Sequence, residues 1–126
     1  MVEVRGRSKE LLFINTAYAV AGIMYNIEKV TSQVKRILRF NGDGLEDMFK
    51  SFVRNLILVV CKDHFLYKKI NVSLKKSANE VVVKLWGEPI DKNKHELFKE
   101  IKALTEHQFS LDKKGRIRYA KFVVDV

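Results

Sequence analysis

Asp125 and Val126 close the chain, so a side-chain carboxylate and an α-carboxylate stand at adjacent positions. Two hard oxygen groups side by side suit Ca²⁺ or Mg²⁺, although charges at chain ends are usually solvated and mobile. Four further carboxylates, Glu88, Asp91, Glu100 and Glu106, could pair for general acid or base work. Each lies near a lysine in sequence and fits a solvated face equally well. The three histidines His64, His95 and His107 are far apart and lack local metal-ligand spacing. His107 falls on the apolar side of an expected strand, where a hydrogen-bonded core histidine is the ordinary outcome; His64 is placed to cap the end of a helix, and His95 sits in a loop. A hydrolase built on Glu106 and His107 would need both side chains together, but strand alternation sends them to opposite faces.

No phosphate-binding loop, dinucleotide fingerprint, nucleophile elbow or HExxH pattern is present, so no conventional active site is announced. The single cysteine, Cys61, cannot form an internal disulfide or a CxxC motif and reads as a small buried hydrophobe. The net charge of +9, with the excess leaning toward the second half, favours anionic partners, nucleic acid above all; a lysine-rich solvated surface gives the same charge. Within that excess, Lys113, Lys114, Arg116, Arg118 and Lys121 surround Tyr119, a cluster that could follow a phosphate backbone. Trp86 and Tyr119 read as packed sheet residues.

These groups need a scaffold. With 126 residues and 47% hydrophobic content, the chain fits one domain, residues 1–126, burying about 65% of the surface its unfolded form exposes. No apolar run approaches the ~20 residues that span a bilayer, and no signal-peptide pattern opens the chain. A soluble, cytoplasmic protein without membrane contact is expected.

Val2 to Arg5 is β-like, and Ser8 can cap a helix from Lys9 to Tyr25 that presents Leu12, Ala19 and Ile23 on one face, with Ala17, Ala21 and Gly22 allowing close packing. Val34 to Phe40 reads as a strand whose alternation Ile37 interrupts. Asp43 and Glu46 resemble a capping box for a second helix ending near Asp63 or His64. Its stripe of Leu45, Met48, Phe49, Phe52, Val53, Leu56, Val59 and Val60 has helical spacing. Ile70 to Leu74 and Val81 to Leu85 alternate as a hairpin around Ser77-Ala78-Asn79. Ile101 to Leu111 reads as one strand with Ile101, Ala103, Thr105, His107, Phe109 and Leu111 on one side. After a reversal at Asp112 to Gly115, Ile117 to Val126 reads as another, with Ala120, Phe122 and Val124 inward. The fold class is α+β, two helices packed on a mainly antiparallel sheet in the order β-α-β-α-β-β-β-β.

Gly87-Glu88-Pro89-Ile90-Asp91, then Lys94-His95, then Glu100-Ile101-Lys102-Ala103-Leu104-Thr105-Glu106-His107, and finally Val123-Val124-Asp125-Val126 follow in an order that resembles archease. Val4 to Phe13 and Gly42 to Leu56 extend the resemblance over nearly all of the chain. It implies a non-enzymatic protein cofactor of the RtcB-type RNA ligase of tRNA splicing, one that promotes guanylylation and turnover of the ligase. It also implies a divalent ion, calcium first with magnesium or manganese as alternatives, bound through the positions of Asp125 and Val126 together with an aspartate of an N-terminal His-Thr-Ala-Asp motif. This sequence contains no such motif, and Glu106 stands where the family often has tyrosine. Weakened metal affinity is therefore expected. The composition supports a different partner class, a basic RNA-binding or chaperone-like module.

Overall fold

Ser8 opens the first helix as expected, its hydroxyl accepting the Leu11 amide at 3.1 Å. The structure, a computed structural model, describes residues 1–75 and 79–126. Strand β1 (Val2–Gly6) leads into helix α1 (Lys9–Met24), followed by β2 (Val34–Asn41), α2 (Leu45–Cys61), β3 (Phe65–Lys75) and β4 (Glu80–Pro89). The last third supplies β5 (Ala103–Leu104), β6 (Ser110–Lys114), β7 (Ile117–Phe122) and β8 (Val124–Asp125). Of the expected turn at Ser77-Ala78-Asn79, Ser77 and Ala78 lie outside the described residues; Asn79 is left-handed, with φ 46°.

Two helices do pack on antiparallel strands, but the strands form three sheets rather than one: β1-β7-β6, β2-β4-β3 and β5-β8. The small β5-β8 sheet arises because each of the last two expected strands is broken. After β5 the chain turns at Thr105 to Phe109, where the Thr105 hydroxyl accepts the His107 amide and Gln108 takes φ 54°. The alternation resets there: Leu104 is buried while Ala103 and His107 are exposed, opposite to the expected facing. Val123 separates β7 from β8 in the same way, so that one chain end serves two sheets.

Helix α2 buries the expected stripe from Met48 to Val60, with Ile57 added and Leu45 only partly buried. Fully burying side chains of this size contributes about 1.5 to 3 kcal/mol each before entropy is subtracted. Its start differs from the expected box: Gly44 is the cap residue at φ 99°, a conformation that favours glycine, and Asp47 rather than Glu46 reaches back to the Asp43 amide. Helix α1 packs against β1, β3, β7 and α2 at once. Its buried side is therefore Leu12, Phe13, Thr16, Ala17, Val20, Ala21 and Met24, while Gly22 faces solvent. Phe49 joins the layers, with its ring 5.3 Å from Phe13 and 5.8 Å from Phe122.

In β2, Ile37 does not interrupt the alternation. It sits on the outer face, 48% exposed, while Arg36 takes an inward position by stacking its guanidinium over Phe65 at 4.5 Å. Strands β3 and β4 run further than their polar alternation suggested, to Phe65 and Pro89, with a bulge between Tyr67 and Lys69.

Candidate functional site

The chain terminus is tied down rather than frayed. Strand β8 pairs with β5 in the register Ala103 to Asp125 and Leu104 to Val124. The Lys102 amide donates to the Asp125 carbonyl at 2.7 Å and the Thr105 amide to the Val123 carbonyl at 2.9 Å. Leu104 is buried and Val124 half-buried, so alternation turns the Asp125 side chain outward, and Val126 beside it is 49% exposed. Among the described residues, the Asp125 side chain and the terminal carboxylate make no hydrogen bond or ion pair. The backbone is fixed while the oxygens stay available.

Those oxygens match a hard cation in kind but not in number. Ca²⁺ takes about six to eight oxygen ligands, and no group of three or more His, Cys, Asp or Glu able to hold a metal occurs among the described residues. Asp125 and Val126 offer oxygens at this edge, and for a cation there water or a partner would have to complete the shell.

A second polar constellation, which no spacing in the sequence announces, centres on Glu88. It is not on a solvated face: only 6% exposed, it accepts the Thr31 amide at 2.7 Å and His95 Nε2 at 2.9 Å, and pairs with Lys94 Nζ at 2.7 Å. The Asp91 amide donates to His95 Nδ1 at 2.9 Å, so the ring proton facing Glu88 sits on Nε2. His95 is thus a buried clamp, not an uncommitted loop residue. Burial works against the Glu88 charge, but hydrogen bonds from Lys94, His95 and Thr31 and the Lys94 charge outweigh it, holding the carboxyl at about 2. A carboxylate so saturated is a staple tying the 91–96 turn and Thr31 to β4, and a poor general base.

The sign follows from the lowered value. In the unfolded chain this carboxyl protonates at its ordinary value of 4.5, so the staple's contribution is fully present above that pH and is lost as pH falls toward 2. Glu88→Gln is expected to cost about 3 kcal/mol at neutral pH. Urea midpoints followed from pH 7 to pH 2 should converge for the two proteins; a gap that stays constant over that range would refute the assignment.

The other candidates scatter. Glu106 is held by Lys50 and by Arg54, the latter at 2.8 Å, which fastens the turn after β5 to α2; Lys50 and Arg54 lower its carboxyl. His107 is exposed in the same turn, and among the described residues its side chain makes no hydrogen bond or ion pair with Glu106, so no hydrolytic pair forms. Among the described residues the His64 side chain caps no carbonyl: at φ 55° His64 reverses the chain after α2, and its carbonyl accepts the Ile90 amide. Cys61 is half-buried, its thiol donating to the Ile101 carbonyl and pushed up in pKa by burial. Lys113, Arg116 and Arg118 share a cleft with Arg7 and Lys9 at the start of α1, whereas Lys121 lies on the outer face opposite Glu3.

Helices laid on antiparallel ladders, with the carboxyl terminus pinned at an exposed edge, define a small α+β protein of a kind already solved. The solution structure of Methanobacterium thermoautotrophicum protein 1598 superposes with a TM-score of 0.80 at 20% identity, covering 98% of this chain and 89% of that one. The crystal structure of an archease, described as a possible chaperone, from Thermotoga maritima gives 0.71 at 23% identity, covering 99% and 88%. Protein archease of Sulfurisphaera tokodaii is 30% identical over 125 residues, 99% of this chain and 90% of the relative. That of Pyrococcus abyssi is 27% identical over 124 residues, 96% and 87%. The sequence matches the Archease protein family (MTH1598/TM1083) across residues 1–126, and the chain belongs to that family.

Proposed function

We propose that this chain is a non-enzymatic, cytoplasmic activator of an RtcB-type RNA ligase in tRNA splicing, promoting ligase guanylylation and turnover through its C-terminal edge. The observation that carries the reading is the Asp125 carboxylate, exposed and without a partner among the described residues while its backbone is locked to β5. A side chain presented this way can meet a second molecule without breaking any interaction within the chain, and a cation at the contact would offset the cost of stripping water from its charge. Asp125 and Val126 would hold a divalent cation, calcium, magnesium or manganese, which when bound supplies positive charge for phosphate oxygens. The protein's own part is to fix two oxygens in position and leave the remaining coordination open to the partner.

The test is multiple-turnover RNA ligation by a cognate ligase with and without this protein, in the presence of GTP and divalent metal. Faster turnover is expected, with no ligation by this protein alone. Equal rates would end the reading. A chaperone-like role is favoured by one observation: a groove of about 390 Å³ beside the exposed Leu97 and Phe98, with Met24, Val60 and Ile90 in its wall. Suppressed aggregation of a heat-denatured client, without any gain in ligase turnover, would select that role instead.

A further inference from the structure

The outer face of the β2-β4-β3 sheet, away from both helices, carries an ordered array of side chains. Across the three strands, Lys35, Trp86 and Lys69 form one row and Ile37, Lys84 and Asn71 the next. At about 3.3 Å per residue, rows two residues apart are about 7 Å apart. The indole of Trp86 is half-buried, with Lys69 Nζ 5.0 Å and Lys35 Nζ 5.7 Å from its ring centroid, and Ile37 beside it is largely exposed. Lys35, Lys69 and Lys84 form no ion pair among the described residues. The carboxylates at the two ends of β4 are already matched: Glu80 by Arg39 and Lys75, each at 3.9 Å, and Glu88 by Lys94. An aromatic ring with two lysines over it and a third lysine in the adjoining row, none of them in an ion pair among the described residues, is thus left on the outer face of the sheet.

We propose that this face binds single-stranded RNA, with a base stacking on Trp86 and Lys35, Lys69 and Lys84 meeting the flanking phosphates. Charge alone would suit any polyanion; the ring narrows the choice, because a base offers a π-face to an indole and an acidic polypeptide does not. Lysine side chains on flexible stems can leave the ring for a phosphate without backbone movement. The cleft shared by Arg7, Lys113, Arg116 and Arg118 has no aromatic wall and offers charge only. The choice of RNA over DNA rests on the ligase reading; the binding itself does not, and its assay contains no ligase, so either can fail without the other.

Trp86 is the only tryptophan, which makes its emission a direct reporter. Titration of the whole protein with a single-stranded oligoribonucleotide should quench Trp86, with binding that weakens steeply as salt rises. Trp86→Leu should weaken binding about tenfold, measured by anisotropy of labelled RNA. Changing Lys35, Lys69 and Lys84 together to Gln should lower the log–log salt slope by about 2. Circular dichroism of both variants, matched to wild type, separates lost contact from lost fold. RNA that binds without altering Trp86 emission, no binding at low salt, or equal quenching by polyglutamate would overturn the proposal.

Discussion

Asp125→Ala should abolish stimulation of the ligase while leaving thermal unfolding within about 2 °C of wild type. The stability half follows from geometry: the ladder to β5 uses the Asp125 carbonyl and the Val123 carbonyl, both unchanged by the substitution. The lost carboxylate is exposed and makes no ion pair among the described residues, so truncation stays within the ~0.5 kcal/mol of an ordinary surface change. The functional half follows from the donor inventory. With two carboxylates available at this edge, removing one leaves only the terminal group, too few oxygens to retain a hard cation. Asp125→Asn keeps the shape but not the charge, and should behave like Ala. Ligation assays and melting curves on the three proteins check this; undiminished stimulation by Asp125→Ala would sink the role of the edge.

What the sequence disclosed about this edge, and what it did not, divides along a physical line. Adjacent oxygens at Asp125 and Val126 are a local fact and were legible. Their fixation depends on amides at Lys102 and Thr105, some twenty residues earlier, and a two-residue strand such as β5 carries no periodic pattern of its own. Helix α2 was legible because its stripe repeats over four turns. The breaks at Thr105 to Phe109 and at Val123 were not, since the apolar residues on either side continue to alternate in sequence, and neither the left-handed turn at Gln108 nor the change of partner strand is marked by a Gly or Pro. Glu88 shows the same limit. Alternation puts it on the outer face of β4, the side of Trp86, and its burial comes from the 91–96 turn folding over that end. The Gly-Glu-Pro and Lys-His pieces were visible as motifs. That one closes on the other follows from a loop geometry that no local pattern encodes.

Gly87→Ala is expected to cost the most of the glycine-to-alanine changes. Gly87 lies in the central strand of its sheet, paired with Val34 on one side and Tyr67 on the other, beside the bulge that follows Tyr67. A Cβ at this position would overlap the Leu66 carbonyl oxygen outright and stand 2.8 Å from Leu66 C and Tyr67 Cα. All three atoms are backbone, so no rotamer change relieves the clash. Strand β3 would have to move away bodily, and it carries the fully buried Phe65, Leu66 and Tyr67 with it. Tyr67 in turn donates from its hydroxyl to the Ala17 carbonyl, and the Tyr25 hydroxyl donates to the Tyr67 carbonyl, so the shift would propagate into α1. A loss above ~4 kcal/mol is a large share of the ~5 to 15 kcal/mol that holds a domain of this size. The melting temperature should fall by more than about 10 °C, or the protein should fail to accumulate folded. Gly22→Ala provides the opposite sign in the same experiment. It lies within α1 with nothing within 4 Å of where an alanine methyl would sit, so alanine's helix propensity should raise stability by up to about 1 kcal/mol. Equal melting temperatures for Gly87→Ala and wild type would show that β3 and β4 do not approach as closely as the register between Gly87 and Tyr67 requires.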